Sequence, residues 1–146
     1  GKEDASSEEM ERAAEIAQAL EFITGMKDGF ESAVAQGGTN LSGGQKQRLS
    51  IARALVRRPA IYIFDDSFSA LDFKTDARLR DALKRETGES TVIVVAQRVS
   101  TVMDADKIVV LDKGEFAGAG THRELMKTCR VYQEIVMSQL SEEELA

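Results

Sequence analysis

Ile61-Tyr62-Ile63-Phe64 is an unbroken apolar run that ends in two carboxylates, Asp65 and Asp66. A short run of this kind suits a strand buried on both faces, as in a parallel sheet covered by helices on either side. Thr91 to Ala96 repeats the pattern. Lys107 to Leu111 gives a third strand, with Phe116 to Ala119 as its hairpin partner across Asp112-Lys113-Gly114. Leu71 to Glu86 has helical spacing, with Leu79 and Leu83 one turn apart. Strands alternating with helices predict an α/β fold built on a parallel sheet.

Three capping boxes mark helix starts: Ser6-x-x-Glu9, Ser42-x-x-Gln45 and Thr121-x-x-Glu124. The first helix is predicted to run through Ala13, Ala14, Ala17 and Leu20 to about Phe22. Gly25 to Asn40 is glycine-rich and reads as loop. The second box opens a helix through Leu49, Ala52, Leu55 and Val56; Arg57 and Arg58 suit its negative end and Pro59 stops it. The third opens a last helix with an inner face of Leu125, Cys129, Tyr132 and Val136. Ser141 to Ala146 reads as a frayed acidic tail.

Composition removes several classes of function. The 146 residues are 42% hydrophobic and 30% charged, as expected of one globular domain. A net charge of −6 argues against a general nucleic-acid-binding role. The longest purely apolar run, Val92 to Ala96, is far short of the ~20 residues a membrane span needs. No targeting segment is visible. A start at Gly1 without Met fits a piece excised from a longer chain. Cys129 is the only cysteine, so an internal disulfide is excluded and a buried bystander thiol is expected. His122, the only histidine, is expected to serve a helix start rather than a metal. Met10, Met26, Met103, Met126 and Met137 read as filler. Lys46, Arg48, Arg53, Arg57 and Arg58 read as a solvated helix face.

Two blocks carry chemistry. A helix N-terminus holds about half a positive charge and unpaired N–H groups. Gly43 and Gly44 would let a phosphate approach that backbone closely, and the Ser42 hydroxyl could donate to it. Ser-Gly-Gly by itself fits a purely structural cap equally well. A strand ending in Asp65 is how P-loop ATPases aim an acid at Mg²⁺ and its water, although Asp is also common at strand ends.

The longer string from Leu41 to Ala54, LSGGQKQRLSIARA, resembles the signature and following helix of ATP-binding cassette (ABC) transporter nucleotide-binding domains. The spacing to Ile61–Asp66 and to Ser69-Ala70-Leu71-Asp72 agrees over nearly the whole chain. The resemblance implies part of a P-loop NTPase (RecA-like) α/β sheet, with residues 1–40 ending a helical subdomain and 41–146 forming the C-terminal part of the ATP-binding core. It implies ATP and Mg²⁺ as cofactors. Ser42, Gly43, Gly44 and Gln45 would close over the γ-phosphate of ATP held by a partner domain. Asp65 would serve the metal, and Asp72 would cross to the partner site. The chain has no Gly-x-x-x-x-Gly-Lys-Ser/Thr loop. The sheet would lack the strand before that loop, so the isolated chain is expected to be weakly stable, domain-swapped or paired through an open edge.

Three positions depart from the family pattern. Asp66 stands where a catalytic Glu follows the metal-linked Asp, and its carboxylate falls back by roughly 1 Å, a misplacement that can cost about 100-fold in rate. Gln97 stands where a His contacts the γ-phosphate, ahead of a well-matched Arg98-Val99-Ser100-Thr101; Gln can donate but cannot titrate. Gln36 stands where exporters carry a Glu near the coupling helices. Asp66 and Gln97 together suggest a slowly hydrolysing, degenerate site in a heterodimeric exporter. Its partners would be a second nucleotide-binding domain and transmembrane domains, with no nucleic acid, at the cytoplasmic face of the cell membrane. The alternatives are a soluble ABC-type ATPase of translation or chromosome maintenance and a non-enzymatic regulatory domain. The exporter-like stretch Ile108 to Leu125 favours transport.

Overall fold

The structure is a computed structural model that describes residues 1–143. It forms two compact units, Gly1–Val95 and Ala96–Ala146. The first contains helices α1 (Ser7–Ile16), α2 (Leu20–Thr24) and α3 (Gly43–Leu55), strand β1 (Ile61–Asp65), helix α4 (Phe73–Glu86) and strand β2 (Thr91–Val95). β1 and β2 pair in parallel, from Ile61 opposite Thr91 to Asp65 opposite Val95, with α4 in the crossover.

Alanines let the helices of this unit approach closely. Ala13, Ala14, Ala17 and Ala19 are buried with Ile51 and Leu55 of α3 and Leu79 and Leu83 of α4. The strand adds Tyr62 and Phe64, stacked at 5.9 Å, and Phe68 meets Phe64 edge-on at 5.6 Å. This core covers one side of the sheet only. Tyr62 and Phe64 are 5% and 3% exposed, whereas Ile61 and Ile63 are 57% and 68% exposed. The expected burial of β1 on both faces is therefore corrected. Alternate residues point to opposite faces, and the helical layer packs on the Tyr62 side. Ile93 and Val95 of β2 are exposed as well.

The first helix is not continuous to Phe22. Gln18 adopts φ 56, and Ala19 N–H reaches back to the Ala14 carbonyl at 2.7 Å, so α1 closes and α2 starts afresh. Arg48 holds the break from outside by donating to the Gln18 carbonyl at 2.6 Å while its guanidinium lies 4.9 Å from the Phe22 ring centre. Arg48 thus leaves the solvated face expected of the basic run, because an orphaned carbonyl and an aromatic face together hold its head.

The second unit contains α5 (Val99–Val102), β3 (Ile108–Asp112), β4 (Glu115–Gly120), α6 (His122–Thr128) and α7 (Arg130–Glu143). β3 and β4 form an antiparallel hairpin whose turn, Lys113-Gly114, has positive φ at both residues, as a tight two-residue hairpin requires. Ile108 and Val110 pack against Leu125, Cys129, Tyr132 and Val136, the inner face anticipated for the last helix. That helix is nonetheless two helices. Cys129 is extended (φ −116, ψ 104), and Gln133 Nε2 donates to the Met126 carbonyl at 2.8 Å beside the break. α7 runs to Glu143, so Ser141 to Glu143 are helical rather than frayed; residues 144–146 of the expected tail lie outside the described residues.

Glycine at position 18 relieves the left-handed strain that Gln18 bears. Gln18→Gly is expected to raise stability by about 0.5–1 kcal/mol, measured as the urea midpoint. A lowered midpoint would mean that the bond from Gln18 Nε2 to the Glu15 carbonyl outweighs the strain.

Candidate functional site: the start of α3 and the end of β1

Ser42 caps α3 in extended conformation. Its Oγ accepts from Gln45 N–H at 3.2 Å, and Gln45 Oε1 accepts from Ser42 N–H at 2.9 Å. The structural reading of this pair therefore holds in full. The Ser42 hydroxyl proton is not consumed by the box, because the oxygen acts there as acceptor. The N–H groups of Gly43 and Gly44, in the first turn, have no intrahelical acceptor. Ser42 and Gly43 are exposed. Gly44 has a packing reason of its own: a Cβ there would stand 3.0 Å from the Ala70 carbonyl oxygen.

β1 ends at Asp65, on the same face as Ile61 and Ile63, with its carboxylate exposed. Asp66 leaves the strand at φ 46 while its N–H still donates to the Val95 carbonyl at 3.0 Å. One carboxylate oxygen of Asp66, Oδ2, accepts from the Ser69 hydroxyl at 3.1 Å. Asp72 caps α4: its Oδ1 accepts from Thr75 N–H at 2.9 Å. That backbone bond first, then the bond to the Thr75 hydroxyl, hold its carboxyl below the usual carboxylate range.

Gln47 joins these parts, and sequence reasoning missed it. Its Nε2 donates to the Asp66 carbonyl and to Ser69 Oγ, each at 3.0 Å, and its Oε1 accepts from Ala70 N–H at 2.9 Å. The signal was readable in the spacing: Gln47 lies four residues after Gly43 and three after Gly44, on their face of α3. Ser42 to Gln45 and the segment from Asp66 to Asp72 are thus brought together in the first unit. Gln97 belongs to the second unit, is exposed, and has its carbonyl bound by Gln139 Nε2 at 2.7 Å. Gln36 lies in an exposed single-turn helix, Gln36–Gly38, in a loop held by Asn40, whose side chain bonds the Ala33 carbonyl and Ala35 N–H at 3.0 Å each.

Among the described residues no group of three or more His, Cys, Asp or Glu side chains is placed to hold a metal ion. A lone exposed carboxylate such as Asp65 fits Mg²⁺ in a different way, since that ion keeps waters and takes one or two carboxylates beside phosphate oxygens. His122 has a partner of another kind. Its Nδ1 is hydrogen-bonded to the Tyr132 hydroxyl at 2.8 Å, and burial pushes that phenol's pKa up, so the hydroxyl keeps its proton and ties α6 to α7.

Comparisons with known proteins point to one family. The family profile described as ABC transporter matches residues 2–69. An uncharacterised ABC transporter ATP-binding protein of Mycobacterium tuberculosis strain H37Rv is 49% identical over 134 residues, 92% of this chain and 23% of the relative. The mitochondrial potassium channel ATP-binding subunit of Mus musculus is 47% identical over 139 residues, 95% of this chain and 19% of that protein. The chain therefore spans about a quarter or less of the curated relatives it matches. A solved structure of a bacterial Atm1-family ABC exporter with ATP bound superposes with a TM-score of 0.91 at 38% identity, covering 94% of this chain and 24% of that one.

Gln47→Ala removes three hydrogen bonds and leaves Ala70 N–H and the Asp66 carbonyl without these partners. It is expected to destabilise the first unit by about 1–3 kcal/mol and to speed hydrogen exchange at Ala70. An unchanged Ala70 amide would refute the strut. Asp72, whose carboxyl is depressed on folding, contributes stability that is complete above the ordinary carboxylate range and lost as pH falls through its lowered value. Asp72→Asn keeps a good cap. Its urea midpoint is expected to lie below that of the native protein at neutral pH and to converge with it in acid; a gap that persists in acid would contradict this.

Proposed function

Because this chain belongs to the ABC transporter ATP-binding family, we propose that it is the C-terminal part of one ATP-binding domain of a heterodimeric exporter, with its own site degenerate and its signature completing the partner's site. The observation that carries this reading is the start of α3, exposed at Ser42 and Gly43 and seated through Gly44 and Gln47 on the loop that bears Asp66. Its likeness to an exporter with ATP bound supports the choice of exporter. No helix among the described residues is long and apolar enough to cross a membrane. By likeness to the ABC exporter, the proposed partners are transmembrane domains and a second nucleotide-binding domain, with this chain at the cytoplasmic face of the membrane.

In this reading the Ser42 hydroxyl and the N–H groups of Gly43 and Gly44 donate to the terminal phosphate of ATP seated in the partner domain. Preorganised donors of this kind stabilise developing charge without reorganising during reaction. Gln45 holds Ser42 in place from behind. Asp65 would hold Mg²⁺ at this domain's own nucleotide, and the ion would neutralise charge on the phosphate oxygens. Asp66 would serve as the base toward water, on a side chain one methylene shorter than Glu and already engaged by Ser69. Gln97 would donate to the phosphate without carrying a proton away. Asp72 would meet the partner site at the start of α4, which it caps.

Two measurements on the assembled pair test this. Ser42→Asp preserves the cap, because Asp is among the preferred N-cap residues, but sets a negative charge against the phosphate. Turnover at the partner's site is expected to fall about 100-fold or more with the thermal midpoint unchanged. Retained turnover would remove Ser42 from the partner's site. Asp66→Glu is expected to raise hydrolysis at this domain's own site by about 100-fold. No rise would argue against degeneracy at that position.

A further inference from the structure

The side chain of Gln139 is used by nothing described so far except the Gln97 carbonyl, yet it makes two short bonds across forty residues. Its Nε2 donates to the Gln97 carbonyl at 2.7 Å, and its Oε1 accepts from Val99 N–H at 2.7 Å. The two partners flank Arg98. A primary amide that takes the carbonyl before a residue and the N–H after it acts as a neighbouring strand would in a parallel ladder. The segment it holds needs such a partner. Val99 begins α5, and Arg98, the cap, makes no side-chain cap bond, so Val99 N–H is one of the orphan donors of a helix start. Val99 and Val102 of α5 pack on the core built from β3, α6 and α7, which gives the clamped segment a firm base.

We propose that Gln139 is a positioning residue for Gln97: by fixing the backbone on both sides of Arg98, it sets the direction in which the exposed Gln97 side chain is presented, and it ties that direction to α7. This rests on the reading of Gln97 as the group that meets the terminal phosphate. The amide of Gln is suited to the task, since it supplies one donor and one acceptor without charge. Glu in its place would keep the bond to Val99 N–H and oppose the Gln97 carbonyl with a second acceptor.

The test compares affinity for ATP with affinity for ADP at this domain's own site, in the complete protein assembled with its partner. ADP lacks the phosphate that Gln97 would meet, so a general structural defect weakens both nucleotides alike. Gln139→Met, similar in length and unable to form the clamp, is expected to weaken ATP by about threefold to tenfold while leaving ADP unchanged. Gln97→Ala should do the same, and the double variant should be no worse than Gln97→Ala alone, because the first residue acts through the second. If Gln97→Ala shifts the ATP-over-ADP preference and Gln139→Met does not, the positioning role is overturned while the reading of Gln97 stands. If Gln97→Ala shifts nothing, that reading falls and the positioning role falls with it. Equal losses for both nucleotides would reduce Gln139 to a brace for α5. Should Gln139→Met fail to fold, Gln139→Glu carries the same comparison with the Val99 bond kept.

Discussion

The amide of Gln47 and the absent side chain of Gly44 together let one helix sit directly on one loop. Gln47 satisfies the Asp66 carbonyl, Ser69 and Ala70 N–H in a single span, and Gly44 brings α3 to van der Waals limits against the Ala70 carbonyl. Neither contact works without the other. A longer distance would leave the Gln47 bonds unmade, and without those bonds the loop's backbone groups would need other partners. The donors at the start of α3 and the carboxylate of Asp66 are consequently held by the same few atoms. In the proposed assembly these two groups serve different nucleotides. A displacement felt at one would reach the other through Gln47, which is a short physical route between paired sites.

Around this joint the first unit is built from unequal parts. Small residues on α1 bring three helices close, and aromatic side chains on β1 and its following loop fill the remaining depth. Tyr62, Phe64 and Phe68 anchor the strand from one side, and pairing with Val95 holds the strand end that carries Asp65. The second unit has a separate core, and its hairpin presses closely on α6 and α7. A Cβ at Gly118 would approach Cys129 Sγ to 3.2 Å, so that glycine and the buried thiol share one small space.

The capping boxes were legible because they are local. Ser6 with Glu9, Ser42 with Gln45 and Thr121 with Glu124 each form both reciprocal bonds, and nothing distant is needed to specify them. The parallel pairing of β1 with β2 and the hairpin of β3 with β4 followed from pattern in the same way. What stayed hidden depends on partners far along the chain. The break at Gln18 is held in part by Arg48, thirty residues away, and helical spacing continues straight through it. The break at Cys129 preserves the inner face of the helices, so periodicity gives no warning of it. Gln47 and Gln139 escaped notice because an uncharged polar side chain on a helix has no compositional signature. The place of Gln47 on the face of Gly43 and Gly44 was its one signal; for Gln139 only the placement of its two amide ends reveals its work.

The aliphatic row of Ile61, Ile63, Ile93 and Val95 has a consequence for biosynthesis. A two-strand ribbon with one oily side open to solvent invites capture by other polypeptides until that side is covered. Sequestration of that ribbon then becomes a race against aggregation. Chaperone demand would be set by how long these four side chains wait for cover.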